Sequence, residues 1–205
     1  MKILVVSDVV IDWLYSPQIR VVFADVDLII SCGDLPAYYL EYLVSTLDKP
    51  LLHVRGNHSF PEEVEAQGDH HTIGAQDIHC KVLLYRGCSF AGVEGSLCYN
   101  NGAYQYSQSE MWLNCFRIIP SLLMNRAKYG KYLNVFVSHT PPRGIHDGQD
   151  LTHQGIHAFR WLVNTFQPDY HLHGHIHVYR PDAVTETNLG KTRVINAFGY
   201  RVIEL

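Results

Sequence analysis

The feature that most constrains how this chain can fold is a series of short apolar runs, each of which ends at a polar side chain. The first run, Ile3-Leu4-Val5-Val6, is rich in β-branched residues and is followed by Ser7 and Asp8. Runs of this length and composition are typical of strands that are buried in a parallel sheet. The sequence predicts such strands over residues 2–7, 27–32, 51–55, 134–138 and 169–173.

Helical patterns separate several of these strands. Residues 36–47 carry apolar side chains near helical spacing, and Pro36 is suited to a first turn. Residues 107–129 and 156–166 also predict helices, the first of them broken at Pro120. Strand, helix and strand joined by short connections indicate parallel pairing in βαβ units. The predicted fold class is therefore α/β.

The remaining segments predict a loop and two hairpins. Residues 60–79 are polar and without periodicity, which is typical of a long loop. Residues 81–85 and 88–93 predict two strands joined by a tight turn, and residues 192–197 and 200–203 predict a second hairpin around Phe198-Gly199. We find no repeat or linker in the 205 residues, so we expect one domain over residues 1–205.

Composition excludes several function classes. Sixteen Lys and Arg against twenty Asp and Glu give a net charge of −4 without a basic run, so long nucleic acid is not an expected partner. No apolar run approaches the roughly eighteen residues of a membrane helix, and the start of the chain does not resemble a signal peptide. The five cysteines are odd in number and form no CxxC pair. We therefore expect a cytoplasmic protein without disulfides or membrane association.

Metal-binding side chains follow the predicted strands directly. In open α/β sheets, ligands bind beyond the carboxyl ends of the strands, so residues from separate strand ends should meet at one rim. Carboxylate, carboxamide and imidazole groups together suit manganese, iron or zinc. They are too many for one ion, and Asp34 in the tight Gly33-Asp34 turn could bridge two. Two such ions generate hydroxide near neutral pH and neutralise phosphoryl oxygens, which is the chemistry of phosphate-ester hydrolysis. The residues that follow the strands are Asp8, Asp34, Asn57, His58, His139, His175 and His177.

These residues resemble the motifs of the calcineurin-like metallophosphoesterases, which read DxH, GD, GNH followed by an acid, a lone His, and GHxH. One such motif is weak support, but five in the family's order over most of the chain are specific. The corresponding residues are Asp8-Val9-Val10, Gly33-Asp34, Gly56-Asn57-His58-Ser59, His139 and Gly174-His175-Ile176-His177.

The resemblance implies a four-layer sandwich of two mixed β-sheets flanked by helices. It implies two divalent transition-metal ions, with manganese the first expectation and iron or zinc the alternatives. Metal-bound hydroxide would attack a small phosphodiester or phosphomonoester, and His58 would be the general acid that protonates the leaving oxygen. By position, Asp34 would bridge the ions. Asn57, His139 and His175 would complete one site, and Asp8 and His177 the other.

Two positions depart from the family's pattern. Val10 stands where the first histidine ligand belongs, which leaves Asp8, Asp34 and His177 at that site unless Asp12 substitutes. Three protein ligands are a usual number for a catalytic metal. Ser59 replaces the acid after GNH, so another group must orient His58. The alternative hypothesis is therefore a catalytically degenerate binding or scaffold module that keeps the fold and holds at most one metal.

Other polar residues allow a functional and a structural interpretation. Arg143, just after Pro141-Pro142, has the fork geometry to clamp a substrate phosphate, or it is an ordinary exposed arginine. His171 and His173 are interpreted as hydrogen-bonded interior residues. The aromatic and amide-rich segment 99–106 could stack a base or form a surface turn. Neither a HExxH zinc motif nor a GxSxG elbow is present, which disfavours a peptide or amide hydrolase.

Overall fold

The computed structural model describes residues 1–58 and 75–205. Two mixed β-sheets pack face to face, and helices cover the outer face of each sheet. The described helices are α1 (Ile19–Val22), α2 (Ala37–Leu47), α3 (Gln108–Tyr129) and α4 (His157–Phe166). The described strands are β1 (Lys2–Ser7), β2 (Leu28–Ser31), β3 (Leu51–His53), β4 (Ala75–Asp77), β5 (Val82–Tyr85), β6 (Cys88–Val93), β7 (Ser96–Leu97), β8 (Gln105–Tyr106), β9 (Val135–Ser138), β10 (Tyr170–His173), β11 (Glu186–Leu189), β12 (Thr192–Asn196) and β13 (Gly199–Glu204).

The first sheet has the order β13-β1-β2-β3-β4, in which β1 to β4 are parallel and β13 is antiparallel. The second has the order β11-β12-β10-β9-β6-β5, with a parallel centre and an antiparallel strand at each edge. Strands β7 and β8 form a separate parallel ladder. The fold class predicted from the sequence, two mixed sheets flanked by helices, is confirmed.

The main core lies between the sheets and is built from the apolar runs of the strands. Ile3 and Val5 of β1 meet a cluster that includes Val135 and Val137 of β9. Alternate residues of the same strands face the helices: Leu4 and other side chains pack with α1 and α2, while α3 and α4 cover the second sheet. Strands buried on both faces explain why the runs are continuously apolar rather than alternating.

Parallel register places the strand ends side by side. Val6 of β1 pairs with Ser31 of β2, so Asp8 and Asp34 leave the first sheet at the same edge. Val137 of β9 pairs with Leu172 of β10, which brings the segment after β9 beside the segment after β10. The carboxyl ends of both sheets therefore supply the residues of the candidate site.

Three predictions about individual segments are wrong. The segments 192–197 and 200–203 do not form a hairpin, because β12 pairs with β10 and β11 while β13 pairs with β1 in the other sheet. Helix α3 continues through Pro120, which lies on the exposed side where water can satisfy the freed carbonyl group. Residues 75–77 of the predicted loop form β4. Its residues 60–74 lie outside the described part of the chain.

The hairpin predicted at 81–93 is confirmed: β5 and β6 are antiparallel and joined at Arg86-Gly87, where both residues have positive φ. All five cysteine thiols are unpaired. Across residues 1–58 and 75–205, no helix combines the length and the apolar character needed to cross a bilayer.

Candidate metal centre

Abrupt turns of the backbone follow the strands that carry the candidate ligands. Asp8, Asp34 and His175 have φ values of 67°, 56° and 68°, in the left-handed region that side chains other than glycine seldom adopt. The Asp8 N–H donates to the Gly33 carbonyl oxygen at 3.1 Å, which joins the first two of these turns. The turns fix the direction in which each side chain leaves its strand.

The glycines of the motifs make room for carboxylates from other strands. A Cβ atom on Gly56 would lie 2.0 Å from Asp34 Oδ1, and one on Gly174 would lie 2.5 Å from Asp8 Oδ2. Gly33, with φ of +101°, would place a Cβ 2.6 Å from the Gly56 nitrogen. Each glycine is therefore required by close approach between segments that are distant in the sequence.

Four predicted ligands converge on one point. His139 Nε2 lies 3.1 Å from Asp34 Oδ2, 3.1 Å from Asn57 Oδ1 and 3.2 Å from His175 Nδ1. Asp8, Asp34 and His139 also offer ligand atoms that all lie within 4.8 Å of one another. The structure thus brings together side chains from five separate strand ends, as the sequence predicted.

The hydrogen bonds of the two central imidazoles direct their lone pairs toward that point. His139 Nδ1 lies 2.8 Å from the Cys32 carbonyl oxygen, and His175 Nε2 lies 2.7 Å from the Thr152 carbonyl oxygen. A carbonyl oxygen can only accept, so the N–H groups sit on these two nitrogens. In the neutral imidazoles the remaining lone pairs, on His139 Nε2 and His175 Nδ1, face each other. Metal-binding histidines are oriented in this way by partners of their second nitrogen.

The acids and imidazoles of the site shift one another's pKa values. Burial opposes ionisation of Asp34, but the neighbouring His139 and the backbone N–H of His58 outweigh it and lower the pKa of Asp34 to about 2. Burial likewise opposes protonation of His139, but Asp34 and then Asp8 raise the pKa of His139 to about 9. Burial lowers the pKa of His175 to about 3 and raises the pKa of Asp8.

The donor set therefore fits a divalent transition metal. It combines carboxylate and carboxamide oxygens with imidazole nitrogens, the mixture that suits manganese, iron or zinc. The raised pKa of His139 favours a proton on its inward nitrogen, where Asp34 stabilises it. A cation would take the place of that proton, since a ligand must lose its proton to bind a metal.

Asp8 and His177 form the outer part of the site. The His175 N–H donates to both carboxylate oxygens of Asp8, at 2.9 and 3.1 Å. His177 Nε2 lies 3.8 Å from Asp8 Oδ1, and its Nδ1 lies 3.0 Å from the Tyr179 hydroxyl. His177 also packs against Phe198, with ring centroids 4.9 Å apart, and about half of its side chain is exposed. His177 is therefore more open to solvent than the group around His139, whereas the Asp8 carboxylate is buried, with 1% of its side chain exposed.

The Val10 position does not supply a ligand. Val10 packs against the cluster of Leu4 and Val6 beneath the first helices. Asp12, which was considered as a substitute, is exposed in the turn that follows and accepts a hydrogen bond from the Tyr15 N–H through its backbone oxygen. Among the described residues, Asp12 does not belong to the close group of acids and imidazoles.

His58 and Arg143 lie in different surroundings. His58 is exposed, and its backbone N–H donates to Asp34 Oδ1 at 2.8 Å, which ties the Gly56-Asn57-His58 turn to the site. Ser59 lies outside the described residues. Arg143 Nη1 donates to Asp147 Oδ2 at 2.8 Å, so its guanidinium is held by an ion pair within the loop after His139.

Sequence reasoning missed several groups that hold the ligands. The sequence does not indicate that the carbonyl oxygens of Cys32 and Thr152 take part, because every residue has a backbone carbonyl oxygen. The Tyr99 hydroxyl accepts from Asn57 Nδ2 at 3.0 Å. Tyr99 lies in the aromatic and amide-rich segment 99–106, for which the sequence suggests base stacking or a surface turn and not support of a ligand.

A chain of neutral histidines supports the turn before His175. His173 Nδ1 donates to the Gly174 carbonyl oxygen, so His173 Nε2 must accept from His146 Nδ1 at 2.9 Å. His146 Nε2 then accepts from the Thr187 hydroxyl at 3.0 Å. His171 is also buried and lies 2.8 Å from the Ser138 hydroxyl through Nε2. The interpretation as hydrogen-bonded interior residues agrees with these contacts for both ring nitrogens of His173 and for Nε2 of His171, whereas His171 Nδ1 has no partner among the described residues.

The fold and the convergent acids and imidazoles define an α/β protein with a candidate metal centre at its strand ends. The model of the calcineurin-like phosphoesterases matches residues 1–179, a range that contains every candidate ligand. The chain therefore belongs to the calcineurin-like phosphoesterase family, whose members generally are hydrolases and typically bind divalent metals. No curated protein matches the chain.

Solved structures share the fold at low sequence identity. The protein TT1561 of Thermus thermophilus is 20% identical with a TM-score of 0.64, over 97% of this chain and 89% of that one. A hypothetical protein from the same organism is 18% identical with a TM-score of 0.55, over 96% and 75%. GAP50, described as the anchor in the inner membrane complex of Plasmodium, is 13% identical with a TM-score of 0.55, over 97% and 71%. These similarities establish the architecture.

Proposed function

We propose that this chain is a metal-dependent phosphoesterase that hydrolyses a small phosphodiester or phosphomonoester. The observation that carries the proposal is the convergence of Asp34, Asn57, His139 and His175, with the second nitrogen of each imidazole on a backbone carbonyl. Such an arrangement serves cation binding better than folding, because a buried charged group contributes little net stability. Membership of the phosphoesterase family supports the same reaction.

The residues would hold two ions unequally. Asn57, His139 and His175 would bind one ion with Asp34, and Asp8 and His177 would bind the other, with Asp34 shared. Manganese is the first expectation, and iron or zinc are the alternatives. Ions held by these residues would supply a nucleophilic water at neutral pH and would offset the charge of the phosphoryl oxygens.

The chain's own side chains would complete the reaction. His58 would be the general acid, donating a proton from its imidazole to the leaving oxygen. The side chain of His58 is exposed and can reach a bound ester. Its backbone N–H donates to Asp34 Oδ1, and this hydrogen bond fixes the position of the Gly56-Asn57-His58 turn. Arg143 would bind a phosphoryl oxygen; one Nη donates to Asp147, and a guanidinium has further N–H groups to offer.

The alternative function is a binding or scaffold module of the same fold. It is favoured by Val10, which packs on an apolar cluster in the place of a ligand and leaves Asp8, Asp34 and His177 for the outer ion. GAP50, a structural relative whose printed description is an anchor, gives this alternative a precedent at the level of fold. The two functions differ in whether bound metal leads to hydrolysis.

The test compares His58→Ala with wild type for metal content and for hydrolysis of bis(p-nitrophenyl) phosphate with manganese. We expect about two ions per chain in both proteins and a rate about 10²–10⁴ lower in the variant. His157→Ala is the matched control, because His157 is exposed at the start of α4 and its N–H donates to Gln108 rather than to the site. An unchanged rate in His58→Ala would remove His58 from its role. Absence of ions from loaded wild type would favour the scaffold.

We also propose that the protein acts in the cytosol on a small ester rather than on long nucleic acid. Five unpaired thiols suit a reducing compartment, and a net charge of −4 does not attract a polyanion. Cell fractionation with antibody detection tests the location. Recovery only in an exported fraction would contradict it.

A further inference from the structure

Asn57 is the one candidate ligand with a carboxamide side chain, which presents an acceptor oxygen and a donor NH2 group at its end. Only its carboxamide oxygen can bind a cation, so the amide must be held with Oδ1 toward the site. Asn57 Oδ1 lies 3.1 Å from His139 Nε2, and Asn57 Nδ2 donates to the Tyr99 hydroxyl oxygen at 3.0 Å. Because Asn57 is buried, with 8% of its surface exposed, loss of that acceptor would leave the amide N–H unsatisfied.

Tyr99 is held in place by its own loop. The Tyr99 and Asn100 N–H groups both donate to Gln105 Oε1, at 3.1 and 3.2 Å. Gln105 Nε2 donates in turn to Asn100 Oδ1 at 2.7 Å. The loop is closed at its base by the β7–β8 ladder. These bonds fix the backbone of Tyr99 independently of Asn57.

The same loop is anchored to the segment between β3 and Asn57. The Gly95 N–H donates to the Arg55 carbonyl oxygen at 2.9 Å, two residues before Asn57. The Tyr106 hydroxyl donates to Glu94 Oε1 at 2.7 Å, and Arg55 contacts Glu94 Oε2 at 3.4 Å. Two anchors between the loop and Arg55 therefore set the distance between the Tyr99 hydroxyl and the Asn57 amide.

We propose that Tyr99 is a positioning residue that holds Asn57 with its oxygen toward the metal centre and thereby sets the affinity of the ion shared with His139 and His175. This inference rests on the proposed function, since it assumes that Asn57 is a ligand. Tyr99 lies outside the family motifs, and its role depends on a single atom, the hydroxyl oxygen that accepts from Asn57 Nδ2.

The test measures the manganese affinity of chelator-stripped protein by calorimetric titration. Tyr99→Phe keeps the ring and removes the acceptor, and we expect one ion to bind about 10–100-fold more weakly. The matched control is Tyr104→Phe in the same loop, whose hydroxyl makes no hydrogen bond within residues 1–58 and 75–205. The control should bind manganese as wild type does. Without metal, Tyr99→Phe should melt a few degrees below wild type, because one buried N–H loses its acceptor, and Tyr104→Phe should melt as wild type does. A folded Tyr99→Phe protein with this small shift and weakened manganese binding separates positioning from loss of the fold.

A double-mutant cycle with Asn57→Ala distinguishes positioning from direct contact. If Tyr99 acts only through Asn57, Tyr99→Phe should cause no further loss of affinity in the Asn57→Ala background. A further loss there, or wild-type affinity in Tyr99→Phe alone, would overturn the inference and leave the proposed function intact. Wild-type protein that binds no manganese would overturn both.

Discussion

Gly56→Ala tests whether the close approach of strand ends creates the metal centre. The added Cβ would lie 2.0 Å from Asp34 Oδ1, 2.4 Å from Asp34 Cγ and 2.8 Å from His139 Cε1. To reach an ordinary contact of 3.4 Å, the Asp34 carboxylate must retreat by about 1.4 Å. Gly56 has no positive φ, so alanine is allowed by the backbone and the contact alone causes the effect.

The expected consequence is much larger for activity than for stability. Overpacking costs about 1–3 kcal/mol, and about 0.4–1 kcal/mol is recovered because alanine restricts the unfolded chain. A displacement of about 1 Å in a catalytic group, by contrast, lowers rates by about 10²-fold. Gly56→Ala should therefore fold and should lose at least that factor in diester hydrolysis, with weaker manganese binding.

Gly92→Ala is the matched control. Its Cβ would lie 2.7 Å from Val54 Cγ1 and 2.7 Å from Ile78 Cγ1, which are core side chains, and Gly92 also has no positive φ. It should lose about 1–3 kcal/mol of unfolding free energy in urea and keep manganese affinity and rate. Wild-type metal affinity and rate in Gly56→Ala, or equal losses of both in Gly92→Ala, would refute the reasoning.

Two further predictions concern charge. In chelator-treated protein, the ion pair of His139 and Asp34 should stabilise the fold fully between pH 3.8 and 6.5. Because the pKa of His139 is raised to about 9, this contribution should be lost as the pH rises from 6.5 through about 9. Because the pKa of Asp34 is lowered to about 2, it should also be lost as the pH falls from 3.8 through about 2. The thermal midpoint should therefore fall more steeply above pH 6.5 in wild type than in Asp34→Asn, and parallel curves would contradict the pairing. Arg143→Ala should raise KM for the diester about tenfold with little change in kcat, as expected for loss of one charge-assisted hydrogen bond. An unchanged KM would exclude Arg143 from substrate binding.

The strand ends could be predicted because local sequence and sheet geometry agree there. An apolar run such as Ile3-Leu4-Val5-Val6 specifies a buried strand, and parallel strands place their carboxyl ends at one edge. Asp8, Asp34 and His139 follow such runs directly, so their convergence needs no knowledge of loops. The motif glycines add to the prediction, since a glycine beside a ligand indicates close approach of another segment.

The pairing of the last strands could not be predicted in this way. Phe198-Gly199 between two apolar segments has the local pattern of a hairpin. Instead, the chain crosses there from the second sheet to the first. The Ala197 N–H donates to the His173 carbonyl oxygen, and the next strand, β13, pairs with β1. Local sequence sets the strands, but contacts between distant segments decide which sheet each strand joins.

The groups that hydrogen-bond to the candidate ligands also depend on contacts between distant segments, and the sequence alone could not identify them. Cys32 and Thr152 act through backbone carbonyls, which no residue type specifies. Tyr99 acts through a side chain, but its relation to Asn57 depends on how the loop is anchored to Arg55, which only the folded chain shows.

The distribution of burial reconciles the missing ligand at Val10 with a hydrolytic function. His139 is fully buried and His175 is 5% exposed. All four candidate ligands of the inner group are present, namely Asp34, Asn57, His139 and His175. The departure falls on the outer group, where about half of the His177 side chain is exposed and water can complete a coordination shell. Compared with well-packed apolar side chains of similar volume, a buried carboxylate and imidazole pair gives no advantage in stability, and the apolar replacements are often as stable or more so. If the inner group holds one ion tightly and the outer group holds another weakly, the missing ligand at Val10 is compatible with the hydrolysis that we propose.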